Sequence, residues 1–204
     1  MSDLVFYTNP MSRGRIVRWM LEEVGQPYEA RIVPLDAPRP AEFLSANPMG
    51  KVPTLVHGGR AVTEAAAICA YLADAFPEAG LAPPVGDRGA YYRWLFFAAG
   101  PLETAVTLKG LEMAAPEGRE STVGWGSYDR TIDALEAALA GRPYVADSGF
   151  SAADVYVGSQ VGWGLAFGTM PARPAFQAYW NGLRDRPAYR RATEIDDALM
   201  PPKD

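Results

Sequence analysis

The sequence predicts an α/β N-terminal domain, ordered β-α-β-α-β-β-α, followed by an all-α C-terminal domain. Three observations predict it. Short strand-like apolar runs alternate with helical stripes over the first 76 residues. The segment 77–87, PEAGLAPPVGD, is rich in proline and glycine and reads as a linker. Beyond it no convincing pair of strands appears, only helical patterns. The expected division is residues 1–77, a linker at 78–86, and a helical domain at 87–204.

Taken in order, LVFY (4–7) is short, apolar and aromatic, as a buried strand is. Ile16, Val17, Met20, Leu21 and Val24 then recur at helical spacing, and Gly25 with Pro27 supplies a helix stop. YEARIVPL (28–35) alternates and reads as a second strand, and RPAEFLSANPMG (39–50) as a short helix or turn. TLVH and RAVT flank Gly58-Gly59, a hairpin signal that makes His57 a turn residue. EAAAICAYLADAF (64–76) is a helix. Residues 88–115 form a long helical pattern that Pro101 is expected to kink or break. Helices follow at 128–141, at 151–168 (where three internal glycines should loosen the packing), at 174–187 and at 188–200.

Composition narrows the class. The 204 residues are 49% hydrophobic and 21% charged, an ordinary globular balance with room for a sizeable core. A net charge of −5 argues against a nucleic-acid partner, although Arg13, Arg15 and Arg18 form a local basic cluster suited to an anionic ligand. The single cysteine, Cys69, excludes an intramolecular disulfide and fits a reducing compartment. The start MSDLVFYTNP lacks a basic region ahead of its four apolar residues, so no signal peptide is expected, and no run of 18 apolar residues suggests a membrane span. One histidine leaves no multi-histidine metal site. The expectation is a cytoplasmic protein.

The segment MGKVPTL (49–55) places Pro53, which cannot donate to a ladder, where a strand begins. Val52 is pushed toward extended backbone by the proline that follows. Were the Val52–Pro53 bond cis, the amide and carbonyl of Val52 would face outward and pair with an extended peptide. A trans proline at a strand start is the plainer reading of the spacing alone.

Together NPMGKVPTL (47–55), VTEAAAICAYLADAF (62–76) and FSAADVYVG (150–158) carry a resemblance over nearly the whole chain. The sequence resembles the cytosolic glutathione S-transferases, in particular bacterial, serine-type members. The resemblance implies a thioredoxin-like first domain with a cis-proline at Pro53, and it gives Val52 the task of bonding the cysteinyl backbone of glutathione. Glu64 and the Ala65 amide would hold the γ-glutamyl ammonium and carboxylate, where many relatives add a serine hydroxyl at the position of Ala65. On its own, Glu64 is an ordinary first-turn acid. Lys51 would pair with the glycine carboxylate, with Arg13 and Arg39 as weaker candidates.

The thiol is the chemistry. Its reference pKa is about 8.5, so a mostly ionised thiol at neutral pH needs a drop of about two units, roughly 2.7 kcal/mol. A helix terminus supplies about 0.3–1 kcal/mol. A hydrogen bond to a charged group adds about 1.5–3. A hydroxyl or amide near the start of the first helix is therefore needed. Ser12 is the favoured candidate, with Thr8, Asn9 and Tyr7 as alternates; serine is also a routine helix cap. Cys69, mid-helix among apolar residues, reads as core. Ser151 and Asp154 form a Ser-x-x-Asp capping box, with Phe150 stapled on Val155, and have a structural role. Met11, Met113, Trp125 and Trp163 are candidates to line an apolar electrophile pocket between the first loop and the second domain. The resemblance implies glutathione as co-substrate, small apolar electrophiles, no metal or flavin, a role in detoxification, and a homodimer through the third and fourth helices. Lyase, isomerase, reductase and dehalogenase chemistry on the same scaffold are alternatives, as is a non-catalytic glutathione-binding or assembly module.

Overall fold

The computed structural model describes residues 3–146 and 149–200. The outer ends of the expected domains, 1–2 and 201–204, lie outside the described residues. The chain forms two compact units: one takes in the chain up to Leu81 together with the segment from Arg186 onward, the other Ala82–Asp185.

The first unit contains β1 (Leu4–Thr8), α1 (Gly14–Val24), β2 (Glu29–Ile32), α2 (Ala41–Ala46), β3 (Thr54–His57), β4 (Arg60–Thr63) and α3 (Ala65–Ala75). The sheet runs β2-β1-β3-β4, with β2 parallel to β1 and the other pairs antiparallel. Because side chains alternate along a strand, β1 sends Phe6 and Thr8 to one face and Val5 and Tyr7 to the other. Phe6 lies beneath the Arg18 guanidinium of α1, and Thr8 lies against Gly14. Tyr7 packs with Val33 and Phe43, and Val5 and Val52 pack against that cluster. β2 is shorter than expected and stops before Pro34, which has no N–H to continue the ladder. His57 ends β3 rather than occupying the turn; its Nδ1 lies 2.8 Å from the Tyr71 hydroxyl.

The C-terminal helix groups with the first unit. α9 (Pro187–Asp197) belongs to the first unit and packs on α1. The cause is charge as well as apolar contact. Arg18 donates to Asp196 at 2.7 Å, both about 1% exposed, and Arg15 pairs with Asp197 at 2.7 Å. Arg186 grips Glu23 with two bonds, Arg191 pairs with Glu22, and Trp19 meets Tyr189 edge-on.

The second unit holds α4 (Gly89–Phe97), α5 (Glu103–Gly110), α6 (Tyr128–Leu139), α7 (Ala152–Ala166) and α8 (Pro174–Leu183). Pro101 neither breaks the chain nor ends the helix. Residues Ala98–Leu102 widen into a π-helical turn that joins α4 to α5 and accommodates the missing N–H. Two glycines of α7 tighten it rather than loosen it. A Cβ at Gly162 would come within 2.7 Å of the Trp180 ring, and one at Gly164 would overlap Met170. The capping box opens α7. Asp154 accepts from the Ser151 amide at 3.0 Å and its hydroxyl at 3.1 Å, and also from the Val145 amide at 2.7 Å and the Tyr179 hydroxyl at 2.9 Å. Phe150 sets its ring edge-on to Tyr144. No helix among the described residues is long and apolar enough to cross a membrane.

Candidate functional site

The loop entering β3 is a tight turn, Asn47-Pro48-Met49-Gly50, closed by the Gly50 amide on the Asn47 carbonyl at 2.9 Å. Gly50 has φ +64°, a conformation that favours glycine. Asn47 is buried and works inside the turn. Its Nδ2 donates to the Lys51 carbonyl at 2.8 Å and to Thr54 Oγ1 at 3.0 Å, and its Oδ1 accepts from Met49 N–H at 3.1 Å. The Val52–Pro53 bond is cis. Pro53 is buried, and neither the amide nor the carbonyl of Val52 makes a hydrogen bond among the described residues. The Lys51 side chain is exposed beside them. Asn47 was not singled out from sequence; the signal was a polar residue placed immediately before Pro48 at a helix end.

Glu64, exposed at the N-terminal edge of α3, has φ +65° and ψ +119°, an unusual backbone for a residue with a side chain. Such geometry costs of order 1–3 kcal/mol and is typical of functional positions. It sets Ala65 at the first turn, where the leading amides of α3 have no intrahelical acceptor.

The four candidates for holding a thiolate separate by face. Ser12 Oγ donates to the Asn9 carbonyl at 2.7 Å and accepts from Gly14 N–H at 3.0 Å. Thr8 Oγ1 is buried, has no partner, and occupies the space a Gly14 side chain would need; that same side chain would lie 3.1 Å from Ser12 Oγ. Ser12 and Thr8 therefore flank the start of α1. The Asn9 amide is spent on the loop, donating to Val33 C=O and accepting from Met11 N–H, both at 2.9 Å. Tyr7 is on the other face of β1. Its hydroxyl donates to Glu42 at 2.9 Å and accepts from Arg31 at 3.0 Å, and burial with the Glu42 bond raises its pKa. Strand alternation places Tyr7 on the face of β1 opposite Thr8.

Arg39 bonds the chain on both sides of α2. Its guanidinium donates to the carbonyls of Pro34, Ala37 and Gly50. Arg13 is exposed at the edge of α1. Burial drives the Cys69 thiol far up, away from reactivity.

Of the apolar candidates, Met113 and Trp125 line one cavity in the second unit, of about 590 Å³, together with Leu108, Lys109 and Tyr128. Trp163, in α7, is not among its walls, and Met11 belongs to the first unit, 65% exposed. Lys109 sits over the Tyr128 ring, 5.4 Å from its centroid. Among the described residues no group of three His, Cys, Asp or Glu is arranged to hold a metal ion.

Residues 11–75 match the family profile described as "Glutathione S-transferase, N-terminal domain". A curated relative, glutathione S-transferase 3 of Zea mays, is 28% identical over 99% of this chain and 98% of its own length. Among solved structures, a sphingomonad glutathione S-transferase complexed with glutathione is 31% identical, covers 95% of this chain and 98% of its own, and superposes with a TM-score of 0.78. A glutathione transferase from Methylococcus capsulatus is 28% identical over 96% of this chain and 99% of its own, with a TM-score of 0.79.

Proposed function

The chain belongs to the cytosolic glutathione S-transferase family, with its thioredoxin-like sheet domain and helical remainder, and from that premise we propose that it binds glutathione on the first unit and transfers the glutathione thiolate to apolar electrophiles. The observation that carries the reading is Val52, whose two backbone polar atoms are unspent beside Pro53. They suit the cysteinyl backbone of an extended tripeptide. Lys51 then takes the glycine carboxylate, with Arg13 as a further cation. The first amides of α3, at Ala65, take the γ-glutamyl carboxylate, and Glu64 takes its ammonium.

Ser12 holds the sulfur. Its hydroxyl proton turns from the Asn9 carbonyl to the thiolate, exchanging a neutral hydrogen bond worth about 0.5–1.5 kcal/mol for a charged one worth about 1.5–3. Thr8 is the nearest alternate, because its hydroxyl is unspent at the same helix start. The thiolate attacks a carbon of the electrophile, a C–S bond forms, and the leaving group departs or the carbanion is protonated. No metal or flavin takes part in this reading. We further propose a homodimer, supported by Tyr92 and Phe96 one turn apart on α4, the latter 73% exposed. The buried single cysteine suits a cytoplasmic setting, and detoxification is the role this chemistry suits best.

The test is calorimetric titration with glutathione followed by turnover of an aryl halide. Binding with conjugate formation supports the proposal. Binding without turnover assigns a different glutathione chemistry (lyase, isomerase, reductase or dehalogenase) or a binding module, and no binding overturns the reading.

A further inference from the structure

We infer that Arg39 is a positioning residue for the glutathione site, acting through the backbone of the loop that carries Lys51 and Val52. The inference rests on the proposed binding mode. Arg39 lies two residues before α2, where its sequence position alone suggests a cation for an anionic ligand. Three bonds tie it to the chain itself: Nη1 to the carbonyls of Pro34 and Ala37, the latter at 3.3 Å, and Nε to the carbonyl of Gly50 at 3.3 Å. The side chain also rests on Gly50, with Cγ 3.7 Å from the place a Cβ would take.

These bonds join two irregular segments. One is the stretch after β2, which holds little of its own backbone in ladder bonds. The other is the Asn47–Gly50 turn, which ends one residue before Lys51. Asn47 fixes that turn from inside through Lys51 C=O and Thr54, and Arg39 fixes it from outside through Gly50 C=O. A planar guanidinium presents its donors in a fixed, preorganised fork, whereas the three donors of an ammonium rotate on a flexible stem. Without Arg39 the inner clamp remains, so β3 still forms, but Lys51 and Val52 lose one wall of their register. A ligand then has to order them on binding.

The experiment compares wild type, Arg39→Met and Arg39→Lys. Glutathione and γ-glutamylcysteine, which lacks the glycine carboxylate, are titrated by calorimetry, with steady-state kinetics and thermal unfolding alongside. Arg39→Met is expected to weaken both ligands by roughly tenfold, the scale of one well-made hydrogen bond. It should raise KM for glutathione by a similar factor and leave kcat within about twofold. Arg39→Lys is expected to recover only part of the affinity. If Arg39→Met weakens glutathione alone and leaves γ-glutamylcysteine unchanged, Arg39 contacts the glycine carboxylate directly and the inference is overturned. Unchanged binding of both ligands overturns it as well. If the wild-type protein binds neither ligand, it is the glutathione reading that fails, a result distinct from both.

Discussion

Replacing Asp196 by alanine leaves the Arg18 guanidinium buried with far less to hold it. In the folded protein Arg18 is about 1% exposed, bonds Asp196 at 2.7 Å, and otherwise has the Tyr28 hydroxyl at 3.1 Å and the faces of Phe6 and Tyr28 at 5.4 and 5.9 Å. Breaking a buried pair from one side costs about 3–5 kcal/mol. The Tyr28 bond and the two rings keep part of the charge stabilised, so the lower figure is expected. For a chain of this size about 3 kcal/mol corresponds to a fall of about 6–12 °C in Tm. The pair itself is imperfect: Arg18 Nη2 and Asp196 Oδ2 are buried without partners, and burial raises the Asp196 carboxyl above its ordinary range despite the cation beside it. Desolvation thus offsets much of the attraction. An Arg18→Met, Asp196→Leu double variant is therefore expected to return to within about 1 kcal/mol of wild type. Urea unfolding of wild type, both single variants and the double variant, read as shifts in midpoint at constant slope, measures the cycle. A single-variant loss below about 1 kcal/mol, or a double variant as unstable as Asp196→Ala, would refute the account of how α9 is held.

Three further outcomes are expected. Ser12→Ala should raise the thiol pKa of bound glutathione by about one to two units, read from thiolate absorbance against pH, while Thr8→Val leaves it within half a unit; the reverse result would make Thr8 the activating group. Asp154 has its pKa pushed up to about 6, because burial opposes its charge more than its four donors favour it. Folding then takes up a proton between about pH 4 and 6, so this group's contribution to stability is complete below about 4 and is lost as pH rises through 6. The unfolding free energy of wild type relative to Asp154→Asn should be greater at pH 5 than at pH 7 by about 1.4 kcal/mol, and a flat difference would contradict it. Phe96→Glu should shift sedimentation from dimer to monomer with little change in thermal stability of the first unit, and an unchanged mass would remove the α4 face from the interface.

Much of the architecture was legible because its signals are local. The Ile16-to-Val24 stripe, the Gly58-Gly59 turn and the Ser151-x-x-Asp154 box each depend on residues within one or two turns of each other, so spacing alone identifies them. The candidate site was legible as a set of positions, since NPMGKVP and the first turn of α3 are contiguous stretches. Their division of labour was not. Which of Tyr7 and Thr8 faces α1 depends on which side of the sheet α1 packs, and strand alternation then assigns Thr8 to the helix start and Tyr7 to Glu42 and Arg31. The carbonyl acceptors of Arg39, five residues before and eleven after, come together only in the fold.

By itself the sequence determined an N-terminal sheet domain and a helical remainder. Only the tertiary structure decided that the last helix serves the first unit. The attraction between Arg18 and Asp196 acts across 178 residues of chain and exists only once both are withdrawn from water, so no local spacing encodes it.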